Sequence, residues 1–507
     1  MFQFLAISTR RSGTSGCRRT FPRHLLHRIT TLASAASLVL FAQLFFTAPL
    51  NAESRDRPNI ILILSDDLAW SDLKCYGHPW HRTPHIDRLA DGGVRFTNAY
   101  ASAPICSASR ASLLTGKTTA SLGFEFVTKN SPGSQNIDGP TALVAPPLTL
   151  NLALAESTIA ERLTEQGYET AFFGKWHLNQ HHGRYLGWSP THGPKQQGFQ
   201  IAEEDFGAHP YSWGQNPPAT IDAEGRFADD SMVERVCRYI RQPHERPYFA
   251  MASSFYVHTP VRTPLKWLTD HYENTIPIDA KNRANRVKYA AFLETLDHHV
   301  GEILDAVEAS GTSDNTLVVF FSDNGGHPEY TANAPLRGSK WNLYEGGIRV
   351  PLIVRWPGRT KPGTESITPV VGYDLPSTFV QASGGDNEGV EGEAVPLRAY
   401  PISEQESRDL IWHFPYYHPE TGYNKAKPTI GVDDFVVSKT KPQSAIRRED
   451  FKLIWFAEDD RVELYNLAKD PSEQVDLSEI ETAKSFELRA ALHQYLRDHH
   501  ARMAMPR

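Results

Sequence analysis

From residue 58 onward, short uninterrupted apolar runs alternate with longer stretches of helical period. In Asn59-Ile60-Ile61-Leu62-Ile63-Leu64 no polar residue follows Asn59, which predicts a strand buried on both faces. Similar runs fall at 170–173, 248–256, 317–321 and 352–356. Between them, Ser157 is placed to cap a helix that stops at Gly167. A longer helix is predicted from about Asn285 to Ser310, ended by Gly311. Its residues Val287, Ala290, Ala291, Leu296, Val300, Ile303, Leu304 and Val307 recur at helical spacing. This alternation implies an α/β fold with a mostly parallel sheet flanked by helices, in which functional groups gather at the carboxyl ends of strands.

The pattern changes after Gly384-Gly385-Asp386-Asn387-Glu388-Gly389. Segments 451–456 and 462–465 flank the acidic turn Glu458-Asp459-Asp460 and predict an antiparallel hairpin, and a last helix is expected over about 483–497. The chain thus divides into a main α/β domain over 53–385 and a smaller α+β subdomain over 386–507. Gly/Pro-rich segments near 129–147 and 187–198 read as long loops. Residues 1–52 hold six arginines and no lysine or acidic residue, followed by an apolar run over 32–48. That is the pattern of a secretory leader cut near Asn51-Ala52. Leu50 is larger than the residue preferred there, so an uncleaved anchor is the alternative, and Arg10-Arg11 is a possible twin-arginine element. The expected product is exported, periplasmic or secreted, with no stable membrane span after cleavage.

At 507 residues with 40% hydrophobic and 22% charged content, the chain can bury a large core. Its formal net charge is -7, and losing the six leader arginines moves this to -13. Such a surface repels nucleic acid and long polyanions, so no nucleic-acid partner is expected and an anionic substrate needs a local basic pocket. Chain ends or oligosaccharides would then be favoured over internal sites of a long polyanion. Of four cysteines, Cys17 lies in the leader. Cys75, Cys106 and Cys237 form no disulfide framework and no zinc-type pair; Cys75 and Cys237 either pair or stay free.

Four groups of residues carry candidate chemistry. Cys106 and Arg110 lie four apart at the start of a predicted helix, on one face, beside the positive end of its dipole. Asp66-Asp67 and Asp323-Asn324 each follow a buried strand, and together they offer three carboxylates and an amide oxygen to a hard cation, calcium first and magnesium second. Lys175 and His177, two apart, share a face in an extended segment while Trp176 points away. His258 ends another strand, and Lys340 lies in a glycine-flanked loop. His181, His182, His192, His209, His327, His413 and His418 have no zinc spacing and read as solvent-exposed loop histidines. The aromatic segment 412–418 reads either as a sugar-stacking loop or as core packing.

The stretch Cys106-Ser107-Ala108-Ser109-Arg110, continuing to Gly116, resembles the maturation signature of type I sulfatases. Other parts of that family are resembled, in family order, by Ser65-Asp66-Asp67-Leu68, Thr83-Pro84-His85-Ile86-Asp87-Arg88, Gly174-Lys175-Trp176-His177-Leu178, Ser322-Asp323-Asn324-Gly325-Gly326 and the run from Gly338 to Pro351. The resemblance implies an alkaline-phosphatase-like fold and hydrolysis of sulfate esters, of sulfated carbohydrates in the first instance. It implies a formylglycine nucleophile made from Cys106 by a maturation enzyme, and a metal held by Asp66, Asp67, Cys106, Asp323 and Asn324. Arg110, Lys175 and Lys340 are then sulfate-binding cations, His177 the base that releases sulfate, and His258 the acid on the leaving group. Ala108 stands where proline is commoner, which leaves the maturation system open. A phosphonate or phosphodiester hydrolase of the same superfamily and a catalytically silent glycan-binding relative are the alternatives.

Overall fold

The computed structural model describes residues 57–397 and 407–507; the leader lies outside the described residues. Eight strands form the main sheet: β1 (Asn59–Ser65), β2 (Val94–Phe96), β3 (Glu169–Gly174), β4 (Ile201–Glu203), β5 (Tyr248–Ser253), β6 (Thr316–Ser322), β7 (Leu352–Arg355) and β8 (Thr364–Ser366). They run in the order β8-β2-β7-β6-β1-β5-β3-β4. Only β7 opposes its neighbours β6 and β2; the other pairings are parallel. Mixed and mostly parallel is thus the observed architecture.

Strand β1 sits near the centre, and its period of two divides its side chains between two cores. Ile61 and Ile63 pack with Val236 and Ile240 of helix Ser231–Arg241 and with Phe292, Leu296 and Val300 of helix Arg283–Ala309. Ile60, Leu62 and Leu64 face Ala111 and Leu114 of helix Cys106–Thr115, Leu163 of helix Ile159–Glu165 and Phe379 of helix Leu375–Ser383. The long helix starts slightly ahead of the expected Asn285. Thr158, one residue beyond Ser157, is the N-cap of Ile159–Glu165. Its hydroxyl accepts from Glu161 N at 3.3 Å while the Glu161 carboxylate accepts from Thr158 N at 2.7 Å, a reciprocal capping box.

The C-terminal part contains a four-stranded antiparallel sheet, Asp409–Phe414, Gln443–Arg448, Phe451–Phe456 and Arg461–Asn466, paired in chain order. One face (Ile411, Ile446, Leu453, Leu464) packs on Leu488, Leu492 and Leu496 of helix Thr482–Asp498. The opposite face (Leu410, Trp412, Ala445, Ile454, Tyr465) packs on Tyr100, Leu343, Ile348 and Tyr373 of the main part. Trp412, Phe414, Tyr416 and Tyr417 are therefore core residues, each at most 1% exposed, and the sugar-stacking reading is withdrawn for these four rings.

A buried charge cluster ties the same sheet to the loop that carries Lys340. Lys452 Nζ lies 2.9 Å from Glu345 Oε1 and 2.9 Å from Glu473 Oε1, all three groups inaccessible to solvent. Glu345 N donates to Glu473 at 2.6 Å, and Tyr100 OH donates to Glu345 at 2.7 Å. Among the described residues no helix is long and apolar enough to cross a membrane.

Candidate active site

The register of the two central strands builds the site. Ser65 pairs with Ser322 in the parallel β1–β6 ladder, so Asp66-Asp67 and Asp323-Asn324 leave the sheet side by side at the same level. Cross-bonds fix them: Asp323 N donates to Ser65 O at 3.1 Å, and Asp67 N donates to Asp323 Oδ1 at 3.2 Å. All four residues are buried.

Cys106 opens its helix behind an extended Ile105 that supplies no side-chain cap, and Gly116 ends it in the left-handed region at φ 71°. Every residue of this helix is buried, including Arg110. Cys106 Sγ lies 3.6 Å from Asp66 Oδ1 and 3.9 Å from Asp67 Oδ1. One turn on, Arg110 Nε donates to Asp323 Oδ2 at 2.7 Å, and its Nη1 to Lys175 O at 2.8 Å and Ser253 Oγ at 2.6 Å. Its Nη2 has no hydrogen-bond partner and stands 3.7 Å from Asp66.

Gly174 (φ 95°) brings the next segment hard against β5, since a Cβ there would meet Ser253 O at 2.1 Å. Lys175 then reaches Asp66 with its ammonium, while Trp176 turns into the core as expected. His177 has φ 57°, so the segment is not simply extended; its ring is buried and Nδ1 is unpartnered. Lys340 Nζ contacts Asp67 at 2.6 Å, and His258 Nε2 stands 3.7 Å from Asp67 Oδ2. The structure thus gathers all the candidate residues at one place.

The charges are strongly coupled. Burial and the neighbouring Asp323 raise the Asp66 carboxyl to about 7 against the pull of Lys175 and Arg110. For Asp67 burial acts upward too, but Lys340, His258 and His327 outweigh it and hold the carboxyl below its usual range. Burial, then Lys175, keeps both His177 and His258 far below the ordinary imidazole range. Burial pushes the Cys106 thiol up to about 12, so an unmodified cysteine here is a protonated, weak nucleophile.

The donor set fits a hard cation. Asp66 and Asp67 offer carboxylate oxygens within 4.8 Å of each other and of the softer Cys106 and His258 donors, and Asp323 adjoins them through the Asp67 N bond to its Oδ1. Asn324 places a buried Oδ1 without any partner beside them, its Nδ2 donating to Asp67 at 2.7 Å. An orphaned buried carbonyl oxygen next to three carboxylates is what calcium or magnesium coordination would satisfy.

Several groups around the site were not legible as such. Tyr211 OH lies 2.9 Å from His258 Nδ1, Ser253 braces Arg110, and Trp341 follows Lys340. The exposed-loop reading of the histidines fails for two in particular. His209 bonds His258 O (3.1 Å) and Tyr211 N (3.3 Å), and His413 bonds Ser444 Oγ (2.8 Å) and Arg502 O (3.0 Å). Each is a buried ring with both nitrogens engaged. His327 and His418 are half-buried against Trp341, with ring centroids 5.0 and 4.1 Å away, and His181 is half-buried next to His177.

Comparison with known proteins agrees with this arrangement. The Sulfatase family profile matches residues 58–385, and the profile for N-sulphoglucosamine sulphohydrolase, C-terminal, matches 339–502. A sulfatase of Formosa agariphila is 30% identical over 87% of this chain and 88% of its own length. Human arylsulfatase A is 30% identical over 83% of each chain. The crystal structure of Ps i-CgsB in complex with k-i-k-neocarrahexaose shares the fold with a TM-score of 0.65 at 23% identity, covering 87% of this chain and 93% of that one. With its alkaline-phosphatase-like sheet, the chain belongs to the sulfatase family and is a sulfuric ester hydrolase.

Proposed function

We propose that this enzyme removes sulfate from sulfated carbohydrates outside the cytoplasm, using formylglycine derived from Cys106 and one divalent cation, calcium before magnesium. The observation that carries the reading is the convergence of Cys106, at the start of a wholly buried helix, with three carboxylates and the cations Arg110, Lys175 and Lys340. When present, the hydrated aldehyde supplies the nucleophile that the buried thiol cannot, and the cation, held by Asp66, Asp67, Asp323 and Asn324, polarises sulfate oxygens.

The chain's own groups do the rest. Lys175 and Lys340 bind sulfate oxygens, and Arg110 fixes Asp323 and the helix start. His177 accepts the proton whose removal releases sulfate. His258, once bound sulfate offsets the Lys175 and Lys340 charges that help hold it low, takes up a proton and passes it to the leaving oxygen, help typically worth ~10²–10⁴-fold in rate. Leader residues 1–52, a catalytic part over 53–385 and a C-terminal part over 386–507 complete the reading, with a maturation enzyme as an obligatory partner. A carbohydrate substrate is supported by the carrahexaose held by the structural neighbour.

The test is kinetics on fully converted protein against monosulfated sugars, an aryl sulfate and phosphonate esters. Turnover of sugar sulfates with the highest kcat/KM is expected. Higher efficiency on phosphonate esters, or no turnover of any sulfate by converted protein, would overturn the proposal.

A further inference from the structure

Beside the sulfate-binding residues stand two walls of rings. On the His258 side, Tyr211 bonds His258 and meets Tyr185 at 5.5 Å between centroids, and Tyr185 meets His181 at 4.8 Å. On the Lys340 side, Trp341 lies against His418 at 4.1 Å and His327 at 5.0 Å. Each wall holds a buried ring nitrogen with no hydrogen-bond partner: His181 Nε2 on one, His418 Nδ1 on the other. Leaving such atoms unpaired costs stability, so their persistence beside the active site points to a ligand that pairs them.

Trp341 adds a second, independent sign. Its φ is 81°, a conformation that a bulky side chain rarely adopts. It is held there by its N–H, which donates to Pro104 O at 2.8 Å, two residues before Cys106. Strain of this kind persists where the surroundings impose it, at ligand clamps above all. His418 is equally fixed, exchanging backbone bonds with Thr440 at 3.2 and 2.7 Å.

We propose that Trp341, His418 and His181 form the subsite for the pyranose ring that carries the scissile sulfate, Trp341 lying against the ring face and the two imidazole nitrogens meeting its hydroxyls. This rests on the sulfatase reading of the adjoining site. The subsite is built to read hydroxyls rather than a second sulfate. The cations lying on rings that adjoin these walls are both already neutralised, Lys129 by Glu420 and Arg184 by Glu204 at 3.0 Å. Singly sulfated sugars are therefore the matching class, above disulfated ones.

Trp341→Gly separates a binding role from a structural one, because glycine takes the positive φ without strain and the loop backbone is kept. kcat/KM is measured on 4-nitrophenyl sulfate, on hexopyranosides carrying one sulfate at C2, C3, C4 or C6, and on a disulfated hexosamine. The expected result is a folded variant whose unfolding midpoint falls modestly, since the ring also packs beside Phe126 and Tyr416, with the sugar-to-aryl ratio of kcat/KM lowered about tenfold or more, the scale of discrimination lost when a shaped contact is removed. His418→Phe, which keeps a ring and removes Nδ1, should raise KM for the sugar sulfate more than for the aryl sulfate. An unchanged ratio in both variants, equal losses on both substrates, or a wild-type preference for the disulfated sugar would overturn the subsite while leaving the sulfatase reading intact. A wild-type enzyme that cleaves no sulfate ester would overturn both.

Discussion

Lys452→Met removes the one ammonium between Glu345 and Glu473 and replaces it with an apolar side chain of similar length. Two buried carboxylates are then left facing each other, Glu345 still beside Arg349 at 3.4 Å and Glu473 with its ion-pair partner gone. Breaking a buried pair on one side costs about 3–5 kcal/mol, a large share of the roughly 5–15 kcal/mol that holds a protein folded. The loss should depend on pH. In the wild type, burial first and Glu345 second raise the Glu473 carboxyl to about 7, against the pull of Lys452. A carboxyl raised in the folded state favours folding at low pH and loses that contribution as pH rises through the folded value. Without Lys452 the downward pull on Glu473 is gone, so the folded variant takes up the proton at a higher pH than the wild type. Going from about pH 8 to about pH 5.5 should therefore shrink the difference between variant and wild type. Urea denaturation followed by tryptophan fluorescence at both pH values measures this. Because Glu345 ends the loop that starts at Lys340, turnover should fall at pH 8 as well. A destabilisation below about 1 kcal/mol, or one equal at both pH values, would refute the claim that this cluster fastens the loop.

Other outcomes follow from the same geometry. Peptide mass spectrometry with aldehyde labelling should find formylglycine at position 106 in active protein, and Cys106→Ala should cut turnover by several orders of magnitude with the fold retained; active protein bearing only a thiol would sink the assignment. Asp323→Ala should lose both bound calcium, by elemental analysis, and activity, since it removes one carboxylate ligand and the partner of Arg110; zinc in the wild type, or unchanged metal content in the variant, would contradict this. Asp297, whose buried carboxylate accepts from Ile86 N at 2.8 Å and His85 N at 3.1 Å, is raised by burial to about 7. Its folded state thus binds the proton more tightly than the unfolded one, and Asp297→Asn should gain on the wild type by up to about 4 kcal/mol as pH rises from about 4 to 7; a flat difference would refute it.

Much of the main sheet could be read from the chain, because a strand buried on both faces writes an unbroken apolar run, as in 60–64 and 317–321. The three-residue strands Val94–Phe96, Ile201–Glu203 and Thr364–Ser366 are too short to show any period. The segment 412–417 left two readings open for the opposite reason: the end of a strand packed on both faces and the turn after it are rich in aromatic rings, and composition alone does not separate that from an exposed platform. Most motif residues were legible because they follow a strand or open a helix, and Lys340 because it lies in a glycine-flanked loop within a matched run. Trp341, Tyr211 and His181 were not, since they join the pocket through loops whose course no local spacing records. The same applies to Lys452, whose partners are supplied by distant segments.

Cys106 is 1% exposed and lies on a helix with no accessible residue. A maturation enzyme has to grip several residues around its target, and in the native state none of them can be gripped. Conversion, if it occurs as proposed, belongs to the nascent or unfolded chain, and folding ends the opportunity. The pocket closes only when partners such as Asp67 and Asn324, 257 residues apart, come together, and pairing over such distances is slow. The fraction of active molecules then becomes a race between two rates. Substitutions that speed folding, or a shortage of the maturing enzyme, would yield a stable, correctly folded and inert protein.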